Sequence, residues 1–190
     1  MTCIIGLKSG GDVWMGCDSL VNTGNISLTE GHKFVHGKGM LFGISGDSGI
    51  IPILEHVIDS KLSDPPKGSS YRELSLWVYR VFAKQLLIEM KDVGFPENSF
   101  DLLFGFDGKL IRLTDNFAQT FSGDFYCIGS GAPVAYGSLF TVSKLAELMS
   151  ESLILLALNA AEEYGVGVRG PFHIARLTGD GNVTIRSNIP

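Results

Sequence analysis

The chemistry this sequence can support starts at its second residue. Removal of Met1 ahead of the small Thr2 leaves one residue carrying both a hydroxyl and a free α-amine. A threonine hydroxyl is a weak nucleophile until a base takes its proton. The α-amine, with an ordinary pKa of about 7.7–8.0, is poised for that work near neutrality. Such a residue supplies nucleophile and base together, with no metal and no cofactor. It still needs neighbours. A lysine beside the hydroxyl, held by an aspartate, keeps the amine neutral and favours the alkoxide. Backbone N–H groups in a glycine turn cradle the oxyanion formed on an attacked carbonyl.

Other constellations are weaker. Gly46-Asp47-Ser48-Gly49 matches part of the loop around a chymotrypsin-type serine, but the chain is too helical for paired β-barrels and has no histidine in a matching context. Cys17-Asp18-Ser19-Leu20 spells a Gly-Asp-Ser-Leu esterase block with cysteine in place of glycine. Those esterases carry an Asp-x-x-His near the C-terminus, where Gly170-Pro171-Phe172-His173 stands here. His32 and His36 are spaced as a ligand pair on a helix. Their segment reads as a strand without HExxH or clustered acids, so solvated histidines are expected. Cys3, Cys17 and Cys127 lie far apart in apolar runs without a CxxC pair, and read as buried, reduced small hydrophobes. Asn25-Ile26-Ser27 and Asn182-Val183-Thr184 are glycosylation sequons in spelling alone.

The elements that must position these residues follow from patterning. Residues 2–7 and 13–17 read as a hairpin around Lys8-Ser9-Gly10-Gly11-Asp12. Short strands over 33–36 and 40–44 follow, split by Gly37-Lys38-Gly39. Gly46 to Gly49 then breaks the strand pattern ahead of a helix over 50–62 with Leu54, Val57, Ile58 and Leu62 on one face. Leu74, Trp77, Val78, Val81, Phe82, Leu86, Leu87 and Met90 recur at helical spacing. That stripe is broad enough to predict a sandwiched helix. Residues 100–106 and 109–113 form a hairpin about Asp107-Gly108, and 125–128 another strand. Gly129-Ser130-Gly131 opens a helix through 145, a second helix covers 151–163, and strands 172–177 and 183–187 close the chain. Hairpins build antiparallel sheets, and helices arriving in pairs cover one face of each. The expected fold is α+β, a four-layer αββα sandwich of two antiparallel sheets flanked by helix pairs. Without βαβα alternation or a GxGxxG after a strand, a dinucleotide-binding fold is disfavoured.

Composition narrows the partners. At 190 residues, 45% hydrophobic and 18% charged, the chain suits one domain over 1–190. Twenty acidic against fifteen basic residues, with no Lys/Arg run, argues against nucleic acid. The longest apolar run, Leu153 to Leu158, falls far below the ~20 residues of a membrane span. The start lacks the pattern of a signal peptide. A soluble, cytoplasmic protein is expected.

Blocks spread over nearly the whole chain carry a resemblance. Thr2-Cys3-Ile4-Ile5-Gly6-Leu7-Lys8, Gly16-Cys17-Asp18-Ser19, Gly24-Asn25, Lys33-Phe34, Gly43-Ile44-Ser45-Gly46 and Ile128-Gly129-Ser130-Gly131-Ala132-Pro133 resemble the proteasome β-subunit and HslV family of N-terminal nucleophile hydrolases. Each block is common; their joint order and spacing is specific. The resemblance implies Thr2 as nucleophile, Asp18 as its carboxylate, Lys33 as the lysine and Ser130 as the serine bonded to the terminal amine. It further implies Gly46 as the oxyanion-hole glycine and Ile44 as lining for the side chain before the scissile bond. One residue ahead of Thr2 is closer to HslV than to propeptide-bearing β subunits. Glu163-Tyr164-Gly165-Val166-Gly167-Val168-Arg169-Gly170 replaces the proteasomal Arg-Asp-x-x-Ser-Gly block, leaving Ser130 to orient the amine alone.

What the resemblance implies is a threonine-type endopeptidase in a homo-oligomeric ring, cutting unfolded polypeptide and fed by an ATP-dependent unfoldase. Two other readings share the fold: a small-molecule amidohydrolase, and a non-catalytic scaffold subunit that retains Met1.

Overall fold

The computed structural model describes residues 1–23, 26–29, 31–97, 99–120, 122–145 and 148–188. The Gly24-Asn25 block and the first residue of the Asn25 sequon lie outside them.

Strand β1 (Ile4–Ser9) forms a hairpin with β2 (Asp12–Cys17) and also pairs with β10 (Phe125–Ile128). Strands β11 (Phe172–Leu177) and β12 (Val183–Asn188) complete an antiparallel sheet of order β10-β1-β2-β11-β12. A second antiparallel sheet has the order β5 (Phe34–Gly37), β6 (Met40–Gly46), β7 (Phe100–Phe106), β8 (Lys109–Leu113), β9 (Gln119–Thr120). Between β2 and β5 a ribbon of β3 (Leu20–Thr23) and β4 (Ile26–Thr29) pairs only with itself among the described residues.

The two sheets pack face to face. Ile4, Met15, Phe34, Leu41, Leu103, Leu110 and Ile128 fill the space between them. Successive residues of a strand face opposite ways. Ile4 therefore enters the inter-sheet core while Ile5 joins Leu139, Ile154 and Leu158 of helices α4 (Ala132–Leu145) and α5 (Ser150–Tyr164) on the other side. A strand covered on both faces reads as an unbroken apolar run, as Cys3 to Leu7 does.

Helix α1 (Ile50–His56) continues as a π-helical turn, Val57–Lys61, and α2 (Tyr71–Trp77) runs through a second, Val78–Ala83, into α3 (Lys84–Asp92). These helices cover the second sheet, with Phe42, Phe82 and Phe104 clustered at centroid distances of 5.0 to 6.4 Å. The result is the α+β, four-layer αββα sandwich.

The α2–α3 segment departs from expectation. Leu74, Val78, Phe82, Leu86 and Met90 are buried against the sheet, but Leu76, Tyr79 and Ile88 on the opposite face are exposed. The helix lies on the sheet with one apolar face outward and is not sandwiched within this chain. Among the described residues, no helix is long and apolar enough to cross a membrane.

Candidate active site

The β1–β2 register sets Ile4 opposite Cys17, so the residues just beyond, Cys3 and Asp18, face each other at the open end of the hairpin. Asp18 N–H donates to Cys3 O (3.3 Å), and the Asp18 carboxylate accepts from Cys3 N–H through Oδ1 (2.9 Å) and from Leu20 N–H through Oδ2 (3.1 Å). Asp18 is completely buried. Packing of the sheets brings the start of β5 over this end. There Lys33 O accepts from Ile44 N–H (3.0 Å), and Lys33 N–H donates to Cys17 Sγ (3.3 Å).

Lys33 thus points its side chain inward. Its Nζ donates to Asp18 Oδ1 at 2.7 Å and to Thr2 Oγ1 at 3.0 Å. A solvated strand lysine would do neither, and Lys33 is buried. Two N–H donors and one ammonium on a single carboxylate offset the cost of placing that charge in the interior.

Ser130 faces Thr2 from the other side. It accepts from Thr2 N–H (3.1 Å) and gives its own proton to Val166 O (3.0 Å). Ser130 is therefore not alone: the Val166 carbonyl takes up its hydroxyl and leaves its lone pairs toward the Thr2 nitrogen. A backbone acceptor has no side-chain signature, so the sequence did not reveal it. Met1 stands ahead of Thr2, and Thr2 Oγ1 donates to its carbonyl at 2.6 Å.

Two glycines shape the walls. Gly46 has φ +112°, and a Cβ there would stand 2.1 Å from Ser99 O. Gly129 has φ +91°, and its Cβ would meet Thr2 O at 2.2 Å. Both positions exclude any side chain. Thr2, Leu20, Val21, His32, Lys33, Ile44, Gly46, Asp47 and Ile51 border one cleft of about 510 Å³. Of the six residues singled out by the resemblance, Thr2, Lys33, Ile44 and Gly46 line this cleft, Ser130 bonds to Thr2, and Asp18 reaches Thr2 through Lys33.

The esterase-like block meets an unexpected partner. His173 Nε2 lies 2.8 Å from Ser19 Oγ, with Ser187 Oγ 3.0 Å from the other ring nitrogen. Yet Ser19 is completely buried and its hydroxyl donates to Pro171 O. A nucleophile must be reachable and offer its proton to the base; Ser19 does neither. The Gly46–Gly49 stretch is a turn in which Asp47 Oδ1 accepts from Gly49 N–H (2.9 Å), leading into α1 without a side-chain cap. His32 and His36 are exposed, and among the described residues no three His, Cys, Asp or Glu side chains converge as metal ligands. Burial pushes the Cys3 and Cys17 thiols up to about 12 and the Cys127 thiol higher still, which removes the thiolate on which cysteine nucleophilicity depends.

No family model and no curated protein matches the sequence. Its fold has clear counterparts. BPH of Thiobacillus denitrificans, in complex with epoxomicin, superposes with a TM-score of 0.77 over 100% of both chains at 18% identity. Eukaryotic HslV from Trypanosoma brucei gives 0.66, covering 93% of this chain and 99% of that one at 14% identity. A mutant of Anbu from Hyphomicrobium sp. strain MC1 gives 0.72, covering 98% and 87% at 14% identity. The chain has the fold of these proteasome-related proteins.

Proposed function

We propose that this protein is a threonine-type endopeptidase with Thr2, freed of Met1, as nucleophile. One observation carries the reading: Lys33 Nζ lies between Thr2 Oγ1 and the buried Asp18 carboxylate. Loss of Met1 removes the acceptor that holds the Thr2 proton and converts the Thr2 nitrogen into an amine bonded to Ser130. The amine takes the hydroxyl proton as Thr2 Oγ1 attacks a peptide carbonyl. Lys33 stabilises the developing alkoxide, and the Gly46 N–H receives the oxyanion. The amine then protonates the departing nitrogen, leaving an ester on Thr2. Water, deprotonated by the same amine, cleaves the ester and restores Thr2. Ile44, with Leu20, Val21 and Ile51 beside it, favours an apolar side chain before the cut bond.

The proposal extends to assembly. Large apolar side chains are exposed on both helical layers, among them Tyr79 and Ile88 on one and Phe140 and Leu156 on the other. Surfaces of this kind suit burial between subunits, and a homo-oligomeric ring would confine the sites in a chamber. An ATP-dependent unfoldase would deliver unfolded polypeptide to it. Three free, buried cysteines are in keeping with a reducing cytoplasm.

The test is intact-mass analysis of the purified protein before and after treatment with a peptidyl electrophile, alongside hydrolysis of a denatured protein and of short acyl-amides. Loss of Met1, one adduct on Thr2, and cleavage of the denatured protein that Thr2→Ala abolishes are expected. Inhibition by epoxomicin, bound in the Thiobacillus structure, is expected too. Hydrolysis confined to the acyl-amides would make the protein an amidohydrolase. A native chain that retains Met1 and takes no adduct would make it a scaffold.

A further inference from the structure

The segment that replaces the proteasomal Arg-Asp-x-x-Ser-Gly block does more than supply Val166 O to Ser130. Three residues further along, it and the strand that follows hold Ser19, the neighbour of Asp18, at its N–H and its hydroxyl. Ser19 N–H donates to Arg169 O at 3.0 Å, Ser19 Oγ donates to Pro171 O, and His173 Nε2 lies 2.8 Å from the same oxygen. Ser19 has one proton, and Pro171 O takes it. His173 must therefore donate from Nε2. In the neutral ring Nδ1 is then an acceptor, and Ser187 Oγ supplies its proton at 3.0 Å. The Nε2 donation follows from the donor count, and the Nδ1 role from the neutral state of the ring.

We propose that His173 is a positioning residue: through Ser19 it holds the Asp18 carboxylate, and with it Lys33, in register with Thr2. The proposal rests on the threonine-nucleophile reading above. The ring sits on β11 opposite Cys17 in β2, meets the edge of His32 at 5.9 Å between centroids, and is buried. It touches none of the three reacting side chains. Burial and the neighbouring His32 hold its pKa below the ordinary histidine range, which favours the neutral ring donating from Nε2. The Asp18 carboxylate is fastened by Cys3 N–H, Leu20 N–H and Lys33 Nζ. Ser19 is where the surrounding fold fastens the adjoining backbone. A shift of about an ångström in such a group costs up to a hundredfold in rate.

The experiment compares His173→Leu, His173→Gln, Ser19→Ala and the Leu/Ala double variant in the full-length assembled protein, using kcat and KM on one short fluorogenic peptide. His173→Leu is expected to lower kcat roughly tenfold to a hundredfold with KM changed by less than about twofold. His173→Gln, whose amide can donate to Ser19 Oγ, recovers most of that loss. Ser19→Ala matches His173→Leu, and the double variant is no worse than either single, as expected when both act through one contact. A near-normal kcat in His173→Leu and Ser19→Ala overturns the positioning role, as does a Gln variant no better than Leu, or losses that add. If His173→Leu fails to fold, the comparison of Ser19→Ala with His173→Gln decides by the same criteria. A wild-type protein that neither cleaves peptide nor is labelled at Thr2 overturns the threonine-nucleophile reading itself; an active wild type with indifferent variants overturns only the role of His173.

Discussion

Lys33 Nζ lies 2.7 Å from Asp18 Oδ1 and 3.0 Å from Thr2 Oγ1, with Asp18 wholly withdrawn from solvent. The pair is as structural as it is chemical. Lys33→Ala leaves a buried carboxylate without its cation, a change that costs about 3–5 kcal/mol in comparable settings. The variant is expected to lose turnover and also to unfold at lower urea. Asp18→Asn combined with Lys33→Met removes both charges; it should recover part of that stability while remaining inactive. Urea midpoints measured beside peptide hydrolysis check this. A Lys33→Ala protein with unchanged stability and normal turnover would contradict the geometry.

Gly129 offers a test that removes no functional group. Its positive φ lets the backbone pass against Thr2, whose carbonyl also accepts from Gly131 N–H at 3.1 Å. Gly129→Ala places a methyl 2.2 Å from the Thr2 carbonyl oxygen, so the nucleophile has to move. Hydrolysis should fall by roughly a hundredfold although every side chain of the site is intact. Circular dichroism would show whether the sheets persist, and labelling of Thr2 by a peptidyl electrophile should slow in parallel with turnover.

The lowered pKa of His173 gives stability a direction with pH. Burial, and secondarily the nearby His32, hold the folded-state value below that of the unfolded chain. Below about pH 6.5 the unfolded state begins to bind a proton that the folded state refuses. The contribution is thus complete above that pH and is lost as acidity increases through the folded value. Urea midpoints taken between about pH 7 and pH 5 should decline in the wild type and decline less in His173→Gln.

Much of this architecture was legible because β1, β2, β6 and β7 are covered on both faces and α1 to α5 on one, so strands read as apolar runs and helices as stripes. The hairpin turn at Asp107-Gly108 and the strand 125–128 fall where the pattern puts them. The β3–β4 ribbon was missed because its strands are only four residues long and, among the described residues, pair with each other outside both large sheets. Strand β9 has two residues, too few for any period. At the site, Thr2 was legible from its own chemistry, and Asp18, Lys33 and Ser130 through the resemblance carried by the blocks that hold them. Val166 was invisible because it acts through its carbonyl. His173 stood out in the sequence only as an ill-fitting esterase histidine, since its partner Ser19 lies 154 positions away.

Cys3 lies next to Thr2, and the two nucleophiles can be told apart chemically. The Cys3 side chain packs with Leu139, Leu158 and Val168 under α4 and α5. Burial raises its pKa, and that of Cys17, to about 12, and raises Cys127 too. In the folded protein all three are expected to resist iodoacetamide at about pH 8, and hydrolysis should survive that treatment in full; unfolding in urea should expose three reactive thiols. The same shifts set an alkaline limit. Unfolded thiols ionise above about pH 8.5, while the folded protein keeps its protons toward pH 12. Their contribution is therefore fully present below about pH 8.5 and lost as pH rises from there. Urea midpoints should fall over that range, and Cys3→Ala with Cys17→Ala should flatten the fall. Loss of peptidase activity on alkylation of the native protein would instead assign the attack to a thiol, and Thr2 would no longer be the nucleophile.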